Sequence, residues 1–324
     1  MQQAAQAPNL AACCILVLSV VPTNFLSRIK KRFNLPSKYV LMKILATTDF
    51  SDTAHNALIS AVKLARCYGA EVIFMHAMSR PVVPATSPAD VYESIFDMEG
   101  KQAQERLQEE SRIVYQEVGL RPTELYKQVV ILSTPLADAI LQALAKNNVD
   151  LVVMGSSGNS GLVRFFMGSN TLEMINLTPV PLLVIPKKYQ FAGFKVISIM
   201  MALEELKNRP GLRILERFVR TFSSEIHFLF IQGTDDPEVC IRELIQGNNV
   251  ELPKEASILH KFISKGNEKQ ELKQHLQKSA TDLLVIFPKK STLWKDTFSG
   301  SLTEEVAEKF NLPLLVIPQQ RLPQ

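Results

Sequence analysis

From residue 42 onward, short runs of aliphatic and β-branched residues alternate with longer stretches in which apolar residues recur every three or four positions. Residues 43–47 (KILAT) read as a strand. A helix is predicted over 52–68, with Ser51 placed to cap its free N–H groups and Ala54, Ala57, Leu58, Ala61, Leu64 and Ala65 forming one stripe. Gly69 closes it, as glycine does beyond a helix C-terminus. Residues 71–77 (EVIFMHA) give a second strand, and a proline-rich loop at 81–88 leads to a charged helix from about 97 to 118. A strand near 127–132, a helix over 135–146 and a strand at 150–154 follow. Strands written as near-continuous apolar runs are buried on both faces, so the pattern predicts an α/β fold, a parallel sheet with helices on both sides.

The pattern then repeats. Residues 150–186 (DLVVMG…FFMGSNTLEM…VPLLVIP) align without a gap on 282–318 (DLLVIF…TFSGSLTEEV…LPLLVIP), which matches Asp150 with Asp282, Gly168 with Gly300, Ser169 with Ser301 and Pro181 with Pro313. The second copy opens on a strand at 195–200 and continues with one at 226–231. The chain therefore reads as a tandem duplication, one domain over 42–188 and a second over 192–324, with the joint near 188–193.

Composition supports two packed cores: 46% of the 324 residues are hydrophobic and 21% charged. The net charge of +4 points toward nucleic acid only until its origin is traced. Arg28, Lys30, Lys31, Arg32 and Lys38 all lie in the first 41 residues, which hold no acid, so the rest is nearly neutral and lacks the basic field of a phosphate-backbone binder. Nucleic acid is not an expected partner. Cys13, Cys14, Cys67 and Cys240 form no CxxC pair, which fits a reduced, cytoplasmic setting, and the five histidines show no metal-ligand spacing. The leader 1–41 carries an apolar run at 10–21, too short for a span of roughly 20 residues. It reads as a stretch ahead of a true start at Met42, the most expected of three readings, as a short hydrophobic anchor, or as an ordered extra helix; a membrane partner is not expected.

The residues that carry chemistry follow the strand at 150–154. Gly155-Ser-Ser-Gly158, then Gly168-Ser169-Asn170, run from a strand end into a helix start. Glycines let backbone N–H groups approach an anion, and a helix N-terminus adds its positive dipole end. The loop has neither the GK[ST] of a Walker motif nor the GxGxxG fingerprint. The spacing G-x-x-G, nine residues, then G-S, together with TTDFS at 47–51 and the PVPLLVI run at 179–185, resembles the universal stress protein family over nearly the whole chain from Met42.

That resemblance implies a Rossmann-like five-stranded parallel sheet of order 3-2-1-4-5 in each domain, with the last strands of the two domains paired in an intramolecular pseudo-dimer, and leaves room for a homodimer. It also implies an adenine nucleotide, ATP or AMP and, with a triphosphate, Mg. Asp49 would accept hydrogen bonds from the adenosine, Thr48 and Met154 would line the pocket, the backbone at Ala77 would contact the base, Gly155 and Gly158 would approach ribose and phosphates, and Gly168, Ser169 and Asn170 would hold the phosphates. The first copy departs from the family at Thr47, where proline is common, at Ser133, where glycine is usual, and at Asn159 and Ser160, which are neutral where a basic residue often stands. Beside this reading stand plainer ones: Asp49 as an acid favoured by a helix N-terminus, the glycines as turn formers, His76 as a packed or hydrogen-bonded histidine, and His55 as a solvent-facing one.

In the second copy Phe287 and Lys290 replace the two loop glycines, and MMALEEL at 200–206 offers no TDFS. Nucleotide is therefore expected in the first domain only, serving stress adaptation by regulation or protection. Two rivals are a slow ATPase or autophosphorylating protein, with Ser169 as a phosphate acceptor, and a protein-interaction scaffold without nucleotide. Neither a positioned general base nor a clear metal ligand beyond Asp49 is legible for efficient phosphoryl transfer.

Overall fold

The computed structural model describes residues 42–78, 89–120, 126–132, 136–156, 168–202, 211–231, 236–264, 267–288 and 310–318. The leader 1–41, Ser133, Gly158, Asn159, Ser160, Lys290 and the Gly300-Ser301 pair lie outside them.

The first half alternates strand and helix: β1 (Lys43–Thr48), α1 (Asp52–Tyr68), β2 (Glu71–Met78), α2 (Ala89–Glu117), β3 (Tyr126–Leu132), α3 (Leu136–Asn147), β4 (Leu151–Gly155), α4 (Ser169–Leu177) and β5 (Leu182–Ile185). The second half runs β6 (Val196–Ala202), α5 (Leu212–Phe222), β7 (Glu225–Ile231), α6 (Pro237–Gly247), β8 (Ile258–Ile263), α7 (Glu268–Lys278), β9 (Leu283–Ile286) and β10 (Leu314–Val316). These strands build one ten-stranded sheet in the order β3-β2-β1-β4-β5-β10-β9-β6-β7-β8. Each half has the expected 3-2-1-4-5 order with parallel neighbours.

The halves meet where β5 and β10 pair antiparallel, Leu314 opposite Val184, Leu315 opposite Leu183 and Val316 opposite Leu182, all fully buried. On one face, Tyr68 of α1 stacks on Phe218 of α5 at 6.3 Å, beside Phe191, Phe194 and Phe222. Asn56 of α1 donates to the carbonyls of Pro186, Lys187 and Tyr189, fastening the connecting segment to the first half.

The repeated aspartates do the same work twice. Asp150 Oδ2 accepts from the Lys43 amide at 2.8 Å, and Asp282 Oδ2 accepts from Lys195 and Val196 at 2.8 and 2.9 Å. Each carboxylate satisfies N–H groups at the entry of its half's central strand, which would otherwise be unpaired.

α1 starts as the sequence predicts: Ser51 Oγ accepts from the Ala54 amide at 3.2 Å, and Gly69 takes the left-handed φ of 59° that ends the helix. α2 begins earlier than expected, at Ala89 rather than near 97. Its first turns leave Val91 and Met98 exposed, and the buried positions Ala103, Leu107, Ser111, Val114 and Tyr115 come only later. The apolar stripe thus begins well after the helix does. Among the described residues, no helix is long and apolar enough to cross a membrane.

Candidate functional site

In the first half β1 lies between β2 and β4, and the chain winds from β1 toward β2 in one direction and toward β4 in the other. In open α/β sheets a crevice forms at such a switch point, outside the carboxyl ends of the strands. Here the strand ends deliver Thr48 and Asp49 from β1, Ala77 from β2, Gly155 from β4, and Gly168, Ser169 and Asn170 from the start of α4.

The β1–α1 turn is held internally. Thr48 is buried, and its hydroxyl accepts from the Phe50 amide at 2.9 Å, while Asp49 Oδ1 accepts from the Ser51 amide at 3.1 Å. Asp49 is exposed. Phe50 takes a φ of 63°, a region uncommon for a residue with a side chain. Two contacts hold it there: its ring lies 4.4 Å from the His76 ring, and the Arg106 guanidinium of α2 sits 4.2 Å from its ring centroid as a cation–π partner. His76 Nδ1 lies 2.8 Å from the Thr48 carbonyl, so Nδ1–H is the donor. Burial pushes the His76 pKa below its usual value, against the pull of that hydrogen bond. His76 is therefore the hydrogen-bonded histidine that the plainer reading expected.

Across the crevice, β4 ends on Gly155. A β-carbon there would stand 3.0 Å from Thr53 Cγ2 and 3.1 Å from the Thr53 backbone, so the first turn of α1 packs directly on the glycine. The Thr171 hydroxyl donates to the Gly155 carbonyl at 3.1 Å, and the Gly168 amide to the Ser156 carbonyl at 2.8 Å. These bonds bring the two ends of the glycine loop together. Gly168 caps α4 with φ −63° and ψ 149° and has no side chain to occupy the N–H groups of the first turn, where Ser169 and Asn170 are exposed. A glycine-capped helix start beside an exposed carboxylate suits a ligand with an anionic end and hydroxyl or amine donors. Met154 is buried in the core, so its part in this site is confined to the backbone.

The matching place in the second half is built differently. Phe287 follows β9 as Gly155 ends β4, and it is fully buried. α1 begins at Asp52 directly after β1 ends at Thr48, whereas α5 begins only at Leu212 after β6 ends at Ala202. A phenylalanine buried in the core thus stands at the sequence position where the first half has a glycine.

His55 corrects the sequence reading. Rather than facing solvent it is half-buried between α1 and α2, with Nδ1 2.8 Å from Glu110 and Nε2 3.2 Å from Glu117. The hydrogen bond to Glu110 leads in raising its pKa to about 9.

The fold defines a doubly wound α/β protein with a candidate ligand site at its first switch point. Residues 41–186 match the universal stress protein family. It is similar to a universal stress protein of Methanocaldococcus jannaschii, 29% identical over 149 residues that cover 45% of this chain and 82% of the relative. A universal stress protein of Thermus aquaticus is also 29% identical, over 44% of this chain and 96% of its own length. The crystal structure of a universal stress protein from Archaeoglobus fulgidus superposes with a TM-score of 0.58 at 14% identity, covering 86% of this chain and 98% of its own. That share is more than one half of the sheet can supply, so the likeness of fold extends into the second half.

Proposed function

We propose that the first half, residues 42–188, binds an adenine nucleotide, ATP or AMP, and that the protein serves stress adaptation in the cytoplasm by regulation or protection rather than by turnover. The second half, residues 192–324, acts as the other member of an intramolecular pseudo-dimer and has lost the site. The observation that carries this reading is the contrast between the two crevices. The first presents Asp49 on a braced turn opposite a glycine-capped helix start, and the second fills the matching position with Phe287. Thr48, Ala77 and the backbone of Met154 border the same crevice, and Gly158 belongs to the loop that its hydrogen-bonded ends close. Mg²⁺ accompanies the nucleotide when a triphosphate is bound, with Asp49 the carboxylate nearest to hand.

Calorimetric titration of the full chain with ATP, AMP and adenosine, beside Asp49→Ala and Gly168→Val, tests it. One site per chain, lost in either variant, is the expected result. Phosphate release or labelled protein on incubation with ATP would move the reading to a slow ATPase or autophosphorylating protein. An absence of heat and of co-purified nucleotide would leave a scaffold.

A further inference from the structure

The cores of the two halves differ at one connected set of positions. In the first half Leu45 of β1 pairs in register with Ile73 of β2, and Ala143 of α3 and Val149 pack in the same buried cluster. The equivalent register pair in the second half is Ser198 of β6 with His227 of β7. Ala143 precedes Asp150 by the same interval as His275 of α7 precedes Asp282, and Val149 and Thr281 come immediately before those aspartates. Four apolar positions of one core have thus become Ser, His, His and Thr in the other. Burying polar groups costs stability unless they are satisfied, so a joint change of neighbours calls for a shared role.

Their geometry gives that role a form. His227 Nδ1 lies 3.2 Å from His275 Nε2, and Ser198 Oγ lies 3.1 Å from the same nitrogen. Ser198 is fully buried, His227 is buried, and His275 is half-buried, which leaves a route to solvent on its side. Ser198 Oγ also contacts Thr281 Oγ1 at 2.8 Å, and Thr281 contacts Ser279 Oγ at 2.6 Å. Two ligands about 2.0–2.1 Å from a tetrahedral ion stand about 3.3–3.4 Å apart, close to the 3.2 and 3.1 Å that separate His275 Nε2 from His227 Nδ1 and from Ser198 Oγ.

The ring orientations agree. Glu225 Oε1 lies 3.0 Å from His227 Nε2, an ion-pair contact at an angle short of a hydrogen bond. A carboxylate beside Nε2 keeps the proton on that nitrogen and leaves the Nδ1 lone pair directed at His275 and Ser198. Metal-bound histidines usually donate their other ring N–H to a carboxylate, a backbone carbonyl or a water, and Glu225 stands within reach of that role. A hydrogen bond joins the two rings, its direction set by their tautomers; with the proton of His275 on Nδ1, its Nε2 lone pair faces His227 and Ser198. Burial, with His227 and Lys261 nearby, favours the neutral ring a ligand needs. The Lys261 charge is itself balanced by Glu271 at 3.3 Å. Among the described residues no group of three or more His, Cys, Asp or Glu could hold a metal ion, so a cation held by these two imidazoles would need hydroxyl and water oxygens as its other ligands.

We propose that His227 Nδ1, His275 Nε2 and Ser198 Oγ form a binding site for a divalent transition cation of the zinc class, near the amino-terminal ends of β6 and β7 in the second half. It is independent of the nucleotide reading.

The test uses the full chain stripped with chelator and titrated with Zn²⁺ by calorimetry, and with Co²⁺ followed by visible absorption. Wild type is expected to bind one Zn²⁺ per chain, to gain melting temperature with it, and to give the d–d bands of Co²⁺ held by imidazole. His275→Ala is expected to lose this binding, and Glu225→Gln to weaken it by about tenfold or more. A four-site variant carrying the first half's residues (Ser198→Leu, His227→Ile, His275→Ala, Thr281→Val) is expected to fold without metal and to show no Zn²⁺-dependent stabilisation. Equal Zn²⁺ binding by wild type and His275→Ala, as exposed His260 alone would give, overturns the proposal. So does a wild-type melting temperature indifferent to Zn²⁺.

Discussion

Gly155 and Thr53 touch so closely that the end of β4 and the first turn of α1 leave no room for a side chain between them. The nearest atoms to an added β-carbon include the Thr53 backbone, which moves only with the helix. Gly155→Ala is therefore expected to destabilise by about 1–3 kcal/mol, the usual cost of overpacking. Phe287, at the corresponding place, carries the opposite expectation. Phe287→Ala opens a cavity in a fully buried position and is expected to cost about 3–5 kcal/mol. Urea unfolding of both variants checks the pair; a neutral Gly155→Ala would show that α1 can move away from β4 without loss of stability.

The same turn depends on its cap. Ser51 Oγ accepts the Ala54 amide, and without it that N–H at the start of α1 loses its partner. Ser51→Ala is expected to lower stability by about 1 kcal/mol, while Ser51→Asp retains most of it, since Asp caps comparably. Because Asp49 Oδ1 holds the Ser51 amide, the alanine variant is also expected to speed amide exchange at Phe50 and Ser51. Hydrogen-exchange NMR at those two residues reads this directly.

What the sequence made legible was what depends on local pattern. The strands were visible because a strand buried on both faces must be apolar along its length, and the ends of α1 because Ser51 and Gly69 act within one turn of themselves. The start of α2 was not visible: Val91 and Met98 are exposed, so its first turns bury no stripe to count. The candidate site divides in the same way. Gly168 as a helix cap and Asp49 after β1 could be located from spacing, but the packing of Gly155 on Thr53 joins residues far apart in the chain. His55 was misread for that reason too, because its environment is set by the register of α1 on α2. His227 and His275 looked scattered, and only the pairing of Ser198 with His227 and the overlay of one half on the other bring them together.

His55 should register its surroundings in the pH dependence of stability. Its partners Glu110 and Glu117 raise its pKa to about 9 in the folded chain, against an ordinary value of 6.5. A raised folded value means that the fold holds the proton more tightly than the unfolded chain does. Its contribution is complete below pH 6.5 and is lost as pH climbs through about 9. Wild type is therefore expected to weaken between those values by more than His55→Asn does. Urea midpoints measured from pH 6 to 10 decide this, and the imidazole resonances of His55 are expected to titrate near the upper end.

Leu315 and Leu183 face each other at the antiparallel joint, each fully buried, with Leu314, Val316, Leu182 and Val184 beside them. Because β10 is hydrogen-bonded to β5 on one side and to β9 on the other, the seam belongs to the core of both halves. Truncating Leu315 to Ala removes apolar contacts from that shared centre and is expected to cost about 2–5 kcal/mol. The distribution of that loss matters as much as its size. If the two halves unfold as one cooperative unit, Leu315→Ala lowers a single calorimetric transition, and near-ultraviolet and far-ultraviolet circular dichroism move together. Two separated transitions, with only one of them shifted, would show that each half folds alone and that the seam is a docking surface between them.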